Sequence, residues 1–240
     1  MKRINAWSSP RNISTAFMYA FAQRADTTVV DEPLYAHYLS TAGEALAHPG
    51  TPEILESQER EGQRVIEEVL FGDYPTEVVL FKQMTHHLLQ LSWDFLTDMN
   101  NIMLIRNPRE IIASYAKVIP HPTIQDVGVE LQYELFRHLR QIERLDAVID
   151  ARELLLNPTK VLRQLCDRLE LSFEEDMLRW EAGPRPEDGV WAKHWYHRVH
   201  QSTGFQPFVE RQIVLPPHLE KLADRCRPYY EALFPYAIKN

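Results

Sequence analysis

Glycine and cysteine are scarce in this chain of 240 residues, with eight of the first and two of the second. Eight scattered glycines make no Gly-rich linker, and no internal repeat or low-complexity tract is present, so a single continuous domain spanning 1–240 is expected. Cys166 and Cys226 are too few for a disulfide framework. Both fall in helical-looking segments among leucines or aromatics and read as buried thiols of a reducing compartment. No apolar run approaches the roughly 20 residues of a membrane span, and the opening MKRINAWSSP lacks the apolar stretch of a signal peptide. A soluble, cytoplasmic protein is expected. Positive charge is also in deficit: 34 acidic side chains face 26 basic ones, a formal net charge of -8. Nucleic-acid and anionic-membrane partners are thereby disfavoured. A small anionic ligand then has to be held by a few local cations and backbone dipoles.

What is present is an alternation of short apolar runs with helical patterns. The runs Ile4–Trp7, TTVV ending at Val30, Val78–Phe81, Ile102–Ile105 and AVI ending at Ile149 read as buried strands. Ile13, Ala16, Phe17, Ala20 and Phe21 line one helical face, as do Leu131, Leu135, Leu139 and Ile142, and Leu162, Leu165, Cys166 and Leu169. The expected fold class is therefore α/β, a central parallel sheet flanked by helices. Residues 52–72 read as one solvated outer helix, because Glu, Gln and Arg crowd it. Proline-containing loops after His121, Gly183 and Leu215 predict a loop-rich C-terminal part.

The stretch INAW-SSPRNIST-AFMYAF places a strand, a tight loop and a helix N-terminus in succession. Such an arrangement directs unpaired N–H groups and the positive end of a helix dipole at an anion. Arg11 adds a full charge, and Asn12, Ser14 and Thr15 add donors. The loop has neither the glycines and Lys-Ser/Thr of a Walker A motif nor a G-x-G-x-x-G fingerprint. The bland alternative is that Ser14 only caps the helix and Arg11 is solvated. A second strand ends in LIRNPREIIASY, where Asn107 reads as an N-cap, Pro108 as the first helical residue and Glu110 as a capping-box acid. Arg106 leaves the carboxyl end of that strand, and Ser114 follows eight residues later.

The segments SSPRNISTAF and LIRNPREIIASY, joined by DARELLLNPTKVLRQLCDRLELSFEEDML, resemble the signatures of the sulfotransferase superfamily across roughly residues 2–178. The resemblance implies a P-loop-like fold and 3'-phosphoadenosine 5'-phosphosulfate (PAPS) as sulfuryl donor, with 3'-phosphoadenosine 5'-phosphate (PAP) as product and no metal. It places Arg11 at the bridging oxygen and the transferring sulfonate. Asn12, Ser14 and Thr15 fall at the 5'-phosphate, and Arg106 with Ser114 at the 3'-phosphate. Ile13 departs from the pattern, since glycine is common there, and a bulky residue predicts strain or a differently shaped loop. The segment 191–205, WAKHWYHRVHQSTGF, stands where the family closes a basic loop over the nucleotide, which nominates Lys193, Arg198, Ser202 and Thr203. Similar segments occur in a bacterial and plant branch of the superfamily that carries an aminotransferase-like name.

A base for the acceptor proton has two candidates. Glu32, at the end of the second strand, sits where several branches place a catalytic glutamate, and burial beside Pro33, Leu34 and Tyr35 raises a carboxyl pKa usefully. His86 follows Thr85 as in the Lys-Thr-His of the cytosolic branch, although Lys82 is displaced from the lysine position; His87 ranks behind it. His194, His197 and His200 recur every three residues without the partner pattern of a metal site. Tyr35, Tyr38, Trp93, Tyr115 and Trp195 are candidates for an aromatic acceptor pocket, with core packing the expected use of most of them. The expectation is a sulfotransferase acting on a hydroxyl or amine of a small-molecule acceptor. The alternatives are a non-catalytic nucleotide-binding protein of the same fold or a P-loop kinase-like phosphotransferase.

Overall fold

The computed structural model describes residues 1–43, 48–117, 119 and 121–240. Five parallel strands, β1 (Lys2–Ser8), β2 (Thr27–Asp31), β3 (Val78–Met84), β4 (Asn100–Ile105) and β5 (Ala147–Asp150), form one sheet in the order β2-β3-β1-β4-β5. All four neighbouring pairs are parallel, so the chain crosses between strands through helices. Each apolar run named from the sequence lies in one of these strands.

The sheet is buried on both faces, which is why its strands are continuous apolar runs rather than alternating ones. Ile4, Ala6, Leu80, Ile102, Leu104 and Ile149 pack on one side against the helices Ser14–Phe21 and Pro158–Arg168. Their sequence neighbours Trp7, Val79, Phe81, Met103, Ile105 and Val148 pack on the other, against the helix Val129–Gln141 and the π-helical turn Val65–Leu70. Polar side chains inside the second layer satisfy one another. Asn101 Oδ1 accepts from Trp7 Nε1 at 3.0 Å, while Asn101 Nδ2 donates to the carbonyls of Leu96 and Met99.

Two expectations change. Residues 52–72 are not one helix: Thr51–Ser57 ends at Gln58, and a new turn starts at Gly62 and runs into Val65–Leu70. The interruption has a use, because Gln58 turns inward to accept from the Ala36 N–H and donate to the Glu32 carbonyl, both at 3.1 Å. Nor is the segment only solvated, since Ile54, Val65, Ile66 and Leu70 are buried. The proline loops also carry helix. Thr123 and Asp126 form a capping box for the short helix Ile124–Val127, and Pro217 opens the 17-residue helix Pro217–Leu233. Among the described residues no helix is long and apolar enough to cross a membrane.

Candidate functional site

At the carboxyl edge of the sheet, where β1, β2, β3 and β4 end, a cleft of about 460 Å³ opens between the loop Pro10–Ile13 and the segment 191–206. Arg11, Asn12, Ser14, Thr15, Arg106, Ser114, Arg198 and Ser202 all line it, together with Glu32 and His86. The chain thus brings together residues as far apart in sequence as Arg11 and Ser202.

The first loop owes its shape to Arg11, not to residue 13. Arg11 adopts φ +59°, while Ile13 is the N-cap of the helix Ser14–Phe21 at φ -95° and carries no left-handed strain. The concern over a bulky residue at position 13 therefore has no backbone basis. Asn12 shapes the loop with its own side chain, donating from Nδ2 to the Leu104 carbonyl at 2.9 Å and accepting from the Ile13 N–H at 2.8 Å. Ser14 is the first helical residue and the N-cap is Ile13, which makes no side-chain cap bond, so Ser14 does not serve as the cap. Helix geometry leaves the first-turn N–H groups after Ile13 without intrahelical partners, beside the Arg11 charge.

The second loop locks onto the first. Arg106 Nη1 donates to the Arg11 carbonyl at 2.9 Å, and Arg11 Nε donates to Ser114 Oγ at 3.1 Å. Asn107 caps the helix Pro108–Tyr115 as expected, through the Arg109 N–H. Glu110 does not complete a capping box; its carboxylate accepts from Arg106 Nε at 2.8 Å and orients that guanidinium. Burial, then the charges of Arg198 and Arg106, lower the Arg11 pKa, with Tyr115 opposing. A bound anion relieves this gathering of guanidinium groups.

Of the C-terminal candidates, Arg198 stands over the cleft. Ser202 also lines it, but its hydroxyl is committed, donating to the Val199 carbonyl at 2.7 Å and accepting from Trp180 Nε1 at 3.1 Å. Lys193 turns away to pair with Glu53. His200 pairs with Asp188 at 2.8 Å, and His194 and His197 are exposed. Among the described residues no group of three or more His, Cys, Asp or Glu is gathered to hold a metal.

Glu32 lies across the cleft, 8% exposed, in a left-handed conformation at φ +42°. One carboxylate oxygen pairs with Lys82 Nζ, and the other is 3.9 Å from His87 Nε2. Burial raises the Glu32 pKa, Lys82 works against that rise, and Asp31 adds to it. His86 and His87 share the same wall, and burial, followed by neighbouring histidines, holds both imidazoles neutral: His86 falls to about 3 and His87 well below its ordinary value. His87 stacks between Tyr35 and Tyr38, at 4.8 and 5.0 Å between ring centroids. Tyr35, Tyr38, Tyr115 and Trp195 line the cleft, with Tyr35 and Tyr115 also buried in packing contacts. Trp93 does not; it packs edge-on to His138 elsewhere.

Two residues at this wall carried no sequence-based role, Asp31 and Tyr196. Asp31 is the register partner of Lys82 across β2 and β3. A lysine inside the apolar run of β3 was a usable signal, because a buried ammonium demands a paired carboxylate.

A sulfotransferase domain family model matches residues 1–235 of the chain. Branched-chain-amino-acid aminotransferase-like proteins 2 and 1 of Arabidopsis thaliana are 38% identical over 234 residues and 40% identical over 231, covering 97% and 96% of this chain. The chain spans 41% of the length of each of these relatives. In three dimensions it is similar to a sulfotransferase from Alicyclobacillus acidocaldarius, with TM-score 0.59, 14% identity, and coverage of 99% of this chain and 97% of that one. It is likewise similar to a sulfotransferase domain from the curacin biosynthetic pathway, with TM-score 0.52, 18% identity, and coverage of 94% and 97%. The parallel sheet, the two interlocked loops and the whole-length family match lead to one assignment: the chain belongs to the sulfotransferase domain family.

Proposed function

We propose that the protein transfers a sulfuryl group from PAPS to a hydroxyl or amine of a small molecule. The observation that carries this reading is the convergence of Arg11, Arg106, Ser114 and Arg198 on one end of a cleft whose other end holds Glu32 among aromatic rings. In this reading the first-turn N–H groups after Ile13, with the Ser14 and Thr15 hydroxyls, hold the 5'-phosphate. Arg106, Ser114 and Arg198 hold the 3'-phosphate. Asn12 acts by shaping the loop and Ser202 by fixing the segment that carries Arg198, because their side chains are already bonded.

The chemistry needs positioning, cations and a base. The acceptor oxygen or nitrogen attacks sulfur in line with the bridging S–O bond. As the new bond to sulfur forms, the bridging bond breaks and its electron pair leaves with PAP, where Arg11 stabilises the growing phosphate charge. The acceptor proton passes to Glu32. Glu32 suits this better than His86, since an imidazole held down to about 3 is a weak base, whereas burial makes the Glu32 carboxylate a stronger base than an exposed one.

The acceptor end is aromatic, and its charges are those of Glu32, Lys82 and Asp126, of which Lys82 is fully engaged. Burial raises the pKa values of Tyr38 and Tyr115 and the Asp126 charge adds to both, with Arg11 opposing at Tyr115, so the Asp126 field reaches into this end. Neutral or cationic acceptors fit; anionic ones are repelled. Calorimetry with PAP tests the donor half. Binding in the micromolar range is expected, and no binding at high micromolar ligand overturns the reading. PAP binding without transfer to any of a broad panel of hydroxyl and amine acceptors favours a nucleotide-binding protein instead.

A further inference from the structure

β3 is buried along its whole length, and Lys82 within it is 1% exposed. An unpaired ammonium there costs several kcal/mol. Its three N–H donors find three acceptors: Asp31 Oδ1 at 2.8 Å, the Tyr196 hydroxyl at 2.8 Å, and Glu32 Oε1. Asp31 is in turn held at both oxygens. Its second oxygen accepts from the Tyr196 hydroxyl at 2.7 Å and the Gly189 N–H at 3.2 Å, while Tyr196 accepts from Trp191 Nε1 at 3.1 Å. Glu32 is the asymmetric member: Oε1 is held by Lys82, and among the described residues Oε2 is paired only with His87, at 3.9 Å. Two carboxylates thus share one ammonium. With both carboxyls ionised the cluster would carry an excess negative charge, and Oε2 is the oxygen left to take a proton.

We propose that Lys82, anchored by Asp31 and Tyr196, is a positioning residue that fixes the Glu32 carboxylate with Oε2 free for the acceptor proton, and that Tyr196 ties this base to the segment bearing Arg198. The proposal rests on Glu32 being the base. The groups facing Glu32 are Asp31 from β2, Lys82 from β3, His87 from the turn Thr85–Leu88, Tyr35 from the helix Tyr35–Ala42, and Tyr196 from the C-terminal segment. Among them only Lys82 is cationic, because the His87 pKa lies well below its ordinary value. Lys82 is therefore the group that favours the ionised form of Glu32 against burial and Asp31.

The test reads Glu32 directly and needs no acceptor. Carbon-13 NMR of the side-chain carboxyls gives the titration midpoint, assigned with Glu32→Gln. Lys82→Met is expected to raise that midpoint by more than about one pH unit, as for a carboxylate losing an adjacent cation. Tyr196→Phe keeps the ring, frees Lys82 to turn toward Asp31, and is expected to shift the midpoint in the same direction by less. It carries the test if Lys82→Met does not fold, as judged by circular dichroism. A midpoint unmoved in the folded variants overturns the positioning role and leaves the donor reading standing. Failure of the parent protein to bind PAP overturns the donor reading and leaves the titration result intact.

Discussion

Arg106, at the tip of β4, donates from Nη1 to the backbone carbonyl of Arg11 at 2.9 Å, so one guanidinium shapes the loop whose own guanidinium faces the same cleft. Glu110 holds the Nε edge of Arg106, which leaves Nη2 and the outer face to a ligand phosphate. Replacing Arg106 with Ala is expected to weaken PAP binding by about 1 to 3 kcal/mol, the range of a charged hydrogen bond, or roughly 5- to 150-fold. Calorimetry measures it. Arg106→Lys is expected to recover little, because a single ammonium cannot serve the Arg11 carbonyl, Glu110 and a phosphate from a guanidinium's fixed fork. Parent-like binding by Arg106→Ala means that the 3'-phosphate lies elsewhere.

The left-handed Arg11 yields a separate comparison. A non-glycine residue at φ +59° stores about 1 kcal/mol that glycine releases. Arg11→Gly is accordingly expected to unfold in urea about 1 kcal/mol later than Arg11→Ala, while both lose the guanidinium and with it sulfuryl transfer. Equal stabilities of the two variants refute the strain. Equal activity of either with the parent refutes the contact to the transferring group.

These two loops were legible because their signals are local. A strand, an N-cap such as Asn107, and an arginine eight residues ahead of Ser114 are all read within a dozen positions. The five strands were legible for a related reason: burial on both faces removes alternation and leaves unbroken apolar runs such as Val78–Phe81. What escaped was set by register and by distant partners. The pairing of Asp31 with Lys82 depends on where β2 stops against β3, and Tyr196 arrives from 114 residues beyond Lys82. Charge misled in 52–72, where Glu and Arg hid the buried Ile54, Val65 and Ile66. Ser202 illustrates the converse: its place at the cleft was foreseen, but not that Trp180 already uses its hydroxyl.

Neutral histidines in the cleft wall make stability depend on pH with a definite sign. His86 and His87 have folded pKa values below the unfolded value near 6.5, so the unfolded chain binds protons that the folded protein refuses. Their stabilisation is present above pH 6.5 and is lost as pH falls. Each is expected to contribute a loss of about 1 kcal/mol between pH 6.5 and 5.5. Glu32, whose pKa is raised, works in the opposite sense toward its unfolded value of 4.5, so the comparison must be between proteins that both retain it. Urea unfolding of the parent and of His86→Gln at pH 7.5, 6.5 and 5.5 makes that comparison. The variant is expected to lose about 1 kcal/mol of the parent's decline, and parallel declines would show that His86 titrates normally.

The charge of the acceptor end separates ligands of one shape. Tyramine, 4-ethylphenol and 3-(4-hydroxyphenyl)propionate share a phenol and differ at the far end in carrying positive, no, and negative charge. With Asp126 adding a negative field over Tyr38 and Tyr115, with Lys82 occupied by Asp31, Glu32 and Tyr196, and with Arg11, which opposes that field at Tyr115, engaged by the donor in the proposed complex, the carboxylate meets net repulsion at that wall. Saturation-transfer NMR on the protein with PAP bound is expected to rank tyramine at or above the neutral phenol, and the acid at least about tenfold weaker than either, the equivalent of 1.4 kcal/mol. Asp126→Asn is expected to narrow the gap between amine and acid severalfold, more at low salt than at high salt, since the carboxylate is partly exposed and its field is screened. An acid that binds as well as the amine to the parent protein would mean that a cation outside this wall serves the acceptor, and that the field of Asp126 does not select it.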